Sequence, residues 1–196
     1  MMKLTASPPY DARSVANLLL DIADARGMPI TNLTLQKLLY FAHGQFLVTR
    51  GAPLVNGYFE AWKYGPVHPL VYDAFKEAES APIQRRAMGF DFKTRKAHPL
   101  PPPSDPVAKE HIERVVMQLG RLPTGRLVEL SHAPRGPWAE TVNRAGTSAV
   151  LGLQISDRLA SSSSAAEGRA VRVRGVSGVS AGSPAAVHAG GEARSA

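Results

Sequence analysis

Six histidines are the residues best suited to metal or acid–base chemistry: His43, His68, His98, His111, His132 and His188. No two stand four apart, the spacing that turns two rings to one face of a helix around zinc, and HExxH does not occur. His68 behind Pro66-Val67 and His132 ahead of Trp138 could meet in space, but surface or hydrogen-bonded histidines account for both. Ser131, His132 and Asp73 could supply a nucleophile, a base and an orienting carboxylate, yet no nucleophile elbow surrounds the serine. The glycines lack the strand–loop–helix setting that cradles phosphate. The absence of cysteine removes disulfides, thiolate metal sites and thiol nucleophiles. No catalytic residue, metal or cofactor is expected.

The chemistry that remains is recognition. Residues 33–72 hold one of two Trp, four of five Tyr and three of six Phe. Within them Leu35, Leu38, Leu39, Ala42 and Phe46 recur at helical spacing, and Trp62, Tyr64, Gly65 and Pro66 form an aromatic turn. Trp and Tyr dominate interface hot spots, so Trp62 and Tyr64 are candidate anchors for a partner, although Trp62 is the kind of large ring that more often packs in a core. Lys37 lies in the leucine helix and is expected at the surface, its stem along the helix. If buried it would need a carboxylate from Glu60, Asp73 or Glu77. The candidate partner-binding set is Lys37, Tyr40, Trp62, Lys63, Tyr64, His68 and Trp138, with the outward side of the leucine helix and the 80–106 segment.

The elements that must position these residues are mostly helical. Asp11 can cap a first helix whose buried face is Val15, Leu18, Leu19, Ile22 and Ala23, with Gly27 and Pro29 ending it. Thr31 or Asn32 caps the second helix, which runs to Arg50 and Gly51. Its apolar face is broad, because Tyr40, Phe41, Leu47 and Val48 widen the leucine stripe, and such a helix is central to its domain. Asn56-Gly57 between short apolar runs signals a hairpin. Pro66 suits the opening of a third helix, with Val67, Leu70, Val71, Ala74, Phe75 and Ala78 inward. From Ser80 to Pro106 periodicity disappears, and a long, mobile surface connection is expected, with Phe90 and Phe92 tacking it down. Ser104 or Asp105 opens a fourth helix. Thr124 caps a fifth, a short helix follows Pro137, and Ile155-Ser156-Asp157 reads as the cap of one more.

Composition sets the bounds. The chain has 196 residues and a net charge of +7, and 20% of its residues are charged, which suits one globular domain with a tail. The basic residues are scattered, so a solvated basic surface is favoured over a dedicated nucleic-acid site. The last 36 residues hold 23 Ala, Ser or Gly, and four Arg against two Glu. Such a segment is expected to be disordered. Nothing approaches a transmembrane run or a secretory h-region, so a cytoplasmic protein is expected, without membrane contact. The organisation expected is a flexible 1–9, one domain over 10–159 and a disordered 160–196. The fold class is all-α or α-dominated, a compact multi-helix domain with at most a short β-hairpin.

Three stretches carry a family resemblance: LTLQKLLYFAHGQFL at 33–47, EAWKYGPVHPLVYDAFK at 60–76 and LSHAPRGPWAETV at 130–142. Together they resemble the SocA-like antitoxin family, or Panacea domain, whose members also appear as phage-associated proteins. The likeness covers about Tyr10 to Leu159. It implies a mostly helical domain that neutralises a cognate protein toxin by binding it, and a proteolytic adaptor role towards a Clp-type protease. The alternative is a nucleic-acid-binding regulator of a prophage or toxin–antitoxin locus. The family pattern carries no catalytic residues. Its motif positions here are Gln36, Lys37, Leu38, Leu39, Tyr40, Ala61, Trp62, Gly65, Pro66, Val67 and Trp138. It also implies a final helix after Ile155, where this sequence turns Ala/Arg/Gly/Ser-rich. A shifted reading frame in a GC-rich gene would produce that tail, and recoding around Arg158–Ser164 tests the idea.

Overall fold

The computed structural model describes residues 7–146 and 152–158. The expected disorder of 160–196, and residues 1–6 of the expected flexible lead-in, lie outside the described residues. Among those described, helices dominate, but the strands exceed one short hairpin.

Side chains that satisfy otherwise free backbone N–H groups set the helix starts. Asp11 accepts from the Arg13 N–H at 2.9 Å and opens α1 (Ala12–Asp24). Thr31 accepts from the Thr34 N–H at 3.3 Å and opens α2 (Asn32–Arg50), which Gly51 ends in the left-handed region at φ 66°. Helix α2 is the axis of the molecule. The other elements pack around it, and from Thr34 to Gly44 every residue is buried. Leu35, Leu38, Leu39 and Ala42 are sealed between α1 and the later helices. The expected outward side of this helix therefore does not exist along most of its length. Only Val48, Thr49 and Arg50 are exposed.

The aromatic segment forms a sheet. Strand β1 (Phe59–Trp62) pairs antiparallel with β2 (Gly65–Val67) in the register Glu60–Val67, Ala61–Pro66, Trp62–Gly65. The hairpin loop is Lys63-Tyr64, and the expected turn at Asn56-Gly57 makes none. Instead the Asn56 N–H bonds the Tyr10 carbonyl at 2.8 Å beside an isolated Tyr10–Val55 bridge. Because Pro66 is held in β2, helix α3 (Pro69–Phe75) starts three residues later than expected, with Pro69 in its first turn. Its inner face is Val71 and Phe75, and Leu70 and Ala74 turn outward. A short 3-10 turn covers Lys76–Ala78.

The 80–106 segment is also more ordered than periodicity implies. Strands β3 (Met88–Asp91) and β4 (Lys96–Pro99) form a separate antiparallel ribbon. Its base is clamped by buried Asn17 of α1. Asn17 donates to the Ala87 and Leu100 carbonyls at 3.0 and 2.9 Å and accepts from the Ala87 N–H at 2.7 Å. Phe90 and Phe92 do not tack the segment down, because both are exposed.

Asp105 caps α4 (Pro106–Leu119), accepting from the Val107 N–H at 3.0 Å and from the Tyr10 hydroxyl at 2.9 Å. Ile112, Val115 and Val116 seal its inner face, and His111 donates to the Ala42 carbonyl of α2 at 2.9 Å. In α5 (Thr124–Ser131) the cap position belongs to Pro123, not Thr124. The Thr124 hydroxyl is bonded to that of Thr34 at 2.8 Å. Helix α6 (Pro137–Ala145) follows the second aromatic turn. Strand β5 (Gln154–Ile155) then pairs with β1 at Phe59–Ile155 and Glu60–Gln154, giving the sheet order β2-β1-β5. Ser156 accepts from the Arg158 N–H at 3.3 Å, as a helix cap would, and the residues that could continue that helix lie outside those described.

Candidate partner surface

The β1–β2 turn is built from below by α2. Gln36 and Lys37 stand at successive positions of that helix, and both reach β2. The Gln36 side-chain carbonyl accepts from the His68 N–H at 2.8 Å, while its amide donates to Asn32 at 3.3 Å. The Lys37 amine donates to the Pro66 carbonyl at 2.8 Å. Lys37 is fully buried, at 0% exposure, so the surface position expected for it is overturned. None of the carboxylates considered for it is its partner. Glu60 accepts from the Trp62 indole at 2.7 Å and the Gly152 N–H at 3.0 Å, and Asp73 pairs with Lys76. Among the described residues Lys37 makes no ion pair, and burial pushes its pKa down to about 7.

Gly65 is the close approach that permits this. Its φ is +94°, and a β-carbon there would stand 2.4 Å from Ser131 Oγ and 3.1 Å from Lys37 Nζ. His68 is likewise internal. Its Nε2 donates to the Asn56 carbonyl at 3.0 Å, its Nδ1 is buried with no partner among the described residues, and burial holds its pKa below the usual histidine value. Tyr40 packs edge-on against Phe59 at 5.4 Å and is also buried.

The outer side of the turn is different. The Trp138 indole donates to the Trp62 carbonyl at 2.9 Å, fixing α6 to the turn, and the Trp138 ring meets His132 at 4.0 Å. Trp62 and Trp138 are half-buried, and Trp62 leans edge-on against exposed Tyr72 at 4.8 Å. Lys63 and Tyr64 are exposed, Tyr64 to 58%, with the Lys63 amine 5.4 Å from the Tyr64 ring centre. The predicted residues therefore divide. Lys37, Tyr40 and His68 support the turn from inside, and Trp62, Lys63, Tyr64 and Trp138 present it. Glu60 and Tyr72 belong to the arrangement as well. The sequence offers Glu60 only as a partner for Lys37, whereas the indole that claims it lies two residues away on the same strand.

Ser131, His132 and Asp73 do not assemble as a nucleophile, base and orienting carboxylate. Ser131 Oγ donates to the Val128 carbonyl at 2.8 Å and His132 Nδ1 donates to the same carbonyl at 2.7 Å, so that nitrogen is no base for the serine. Asp73 is elsewhere, on exposed α3. Among the described residues no group of three or more His, Asp or Glu could hold a metal ion, and no helix is long and apolar enough to cross a membrane.

What the fold and turn define is a small helical domain that braces an aromatic hairpin from beneath and exposes its tip. The chain belongs to the family described as antitoxin SocA-like, Panacea domain, whose model matches residues 35–139. That span takes in the buried half of α2, the whole turn and Trp138. Antitoxin SocA of Caulobacter vibrioides (strain NA1000 / CB15N) is 51% identical over 160 residues, covering 81% of this chain and 85% of that protein. No solved structure matches.

Proposed function

We propose that this protein is an antitoxin that neutralises a cognate protein toxin by binding it directly, with the β1–β2 turn as the docking surface. The observation that carries the reading is Tyr64. A large aromatic ring stands exposed on a two-residue turn whose supporting groups are already hydrogen-bonded, so little ordering cost remains to be met on binding. Rings of this kind, with an adjacent cation, are typical binding anchors. Family membership supports the antitoxin role, and the family resemblance extends it to an adaptor that delivers the toxin to a Clp-type protease.

The test is co-expression with the small open reading frame neighbouring this gene. A product toxic alone, harmless with this protein and co-purifying with it is the expected result. Tyr64→Ala should weaken the complex by roughly 30-fold, the equivalent of about 2 kcal/mol for a hot-spot aromatic. Absence of both rescue and complex would overturn the antitoxin reading, and an unchanged affinity for Tyr64→Ala would overturn the placement of the surface. A shorter toxin half-life in cells with the protease than without it is the outcome expected of an adaptor.

A further inference from the structure

The β3–β4 ribbon has an architecture that the hairpin turn does not account for. Register places Phe90 opposite Ala97 and Met88 opposite Pro99, so these four share one face, and all are exposed. Phe92, beyond the strand end, is 86% exposed and meets Phe90 edge-on at 5.2 Å. An alternating strand ordinarily turns its apolar side to the core. Here it turns outward, while the base of the ribbon is fixed to α1 through Asn17 and through Arg86, which bonds Asp21 at 2.7 Å and also Asp24. No third strand pairs with the ribbon among the described residues.

The charge around this face is mostly positive. Lys93, Arg95 and Lys96 are exposed and enter no ion pair among the described residues. The only carboxylate of the tip, Asp91, is engaged by the turn itself, accepting from the Lys93 N–H at 2.8 Å and the Thr94 hydroxyl at 2.9 Å. We infer that the ribbon is a second docking surface, for an extended acidic protein segment that adds as a strand along β3 and lays its apolar side chains beside Phe90 and Phe92. The open edge of β3 offers the backbone N–H and carbonyl groups of Met88 and Phe90, which the register turns away from β4, the apolar face offers burial, and the cations select acidic side chains.

Charge argues against the other occupants. A second copy brings the same cations, and the chain's last 36 residues carry four Arg against two Glu. Nucleic acid would use flat aromatic faces, and the two rings are packed edge to face at 77°. A lipid interior would leave the strand edge without hydrogen-bond partners.

This inference deepens the protein-binding reading and rests on it for biological purpose, but its test uses no toxin. The full chain is titrated with a fluorescein-labelled peptide of about ten residues alternating glutamate with valine, and binding is followed by anisotropy and by amide NMR shifts. Controls are the lysine–valine peptide, an oligo-dT and phosphatidylserine vesicles. The expected result is saturable binding of the acidic peptide alone, with shifts confined to residues 88–99. Phe90→Ser/Phe92→Ser and Lys93→Glu/Arg95→Glu/Lys96→Glu should each weaken it at least tenfold. All five side chains are exposed, so circular dichroism should be unchanged. No binding, shifts elsewhere, equal binding by the variants, or preferential binding of the oligonucleotide or vesicles would each overturn the inference. Rescue of wild-type cells from the toxin decides the antitoxin reading separately.

Discussion

Replacing Lys37 by methionine should stabilise this protein at neutral pH, although it removes a hydrogen bond. The amine is fully buried, donates once, to the Pro66 carbonyl, and faces no carboxylate among the described residues. A pKa pushed from 10.5 down to about 7 amounts to about 5 kcal/mol of preference for the neutral amine, and about 4 kcal/mol of it opposes folding at pH 7. Methionine has a similar shape and no charge. Against that gain stand the lost hydrogen bond and a bare Pro66 carbonyl, together about 1–3 kcal/mol. The net expectation at pH 7 is a variant more stable by about 1–3 kcal/mol.

The pH dependence is the sharper part. Below pH 7 the amine is charged in both states and the whole penalty stands. As pH rises through 7 the folded amine deprotonates, while the unfolded one stays charged up to 10.5, so the unfolded state binds more protons and stability climbs. Near pH 10 the penalty has fallen to about 1 kcal/mol, and the wild type should equal or exceed the variant. Urea unfolding at pH 7, 8.5 and 10, followed by tryptophan fluorescence, reads the difference directly. Tyr10 sets the upper limit of the scan, because burial and Asp105 raise its pKa and its contribution is lost above pH 10. A wild-type-minus-variant difference that stays flat with pH, or a variant losing more than about 2 kcal/mol at pH 7, would refute an uncompensated buried amine.

Two further substitutions test the supports of the two surfaces. Gly65→Ala should cost about 3 kcal/mol or more, from the positive φ and the clash with Ser131 Oγ. Adding Ser131→Ala should return part of that in a double-mutant cycle of melting temperatures. Asn17→Ala strips partners from the Ala87 N–H and the Ala87 and Leu100 carbonyls and should cost about 2–4 kcal/mol. Amide exchange at residues 88–99 should accelerate well before that of α2 does.

Features set by local chemistry were legible in the sequence. Asp11, Thr31 and Asp105 cap helices because a short side chain can reach an N–H two or three residues on, and the breadth of the α2 stripe announces a central helix, though not that its outward side is covered too. What escaped depends on distant partners. Lys37 reads as a surface lysine because its acceptor, the Pro66 carbonyl, lies 29 residues away. Asn56-Gly57 has the stronger turn chemistry, yet the register of β1 with β2 places the hairpin at Lys63-Tyr64. The two-residue β5 carries no periodic signal at all. The ribbon was missed for another reason: its apolar residues alternate towards solvent, the reverse of the pattern that marks a half-buried strand. Of the candidate site, the outward aromatics and Lys63 were legible from residue type. The division into presenting and supporting residues was not.

The β1–β5 pairing has a consequence for how the chain leaves the ribosome. Strand β1 is flanked on one side by β2, which starts at Gly65 after a two-residue loop, and on the other by β5, which is among the last residues described. Helix α2 likewise obtains its cover from α4 and α5, all synthesised later. At roughly 5–20 residues per second, the hundred or so residues between α2 and β5 take about 5–20 s to make. Throughout that interval α2 lacks the cover of α4 and α5 and the sheet has an unpaired edge. The nascent chain should therefore be open to holdases and proteases until its sheet closes, and its steady-state abundance should track the rate of translation through residues 106–155.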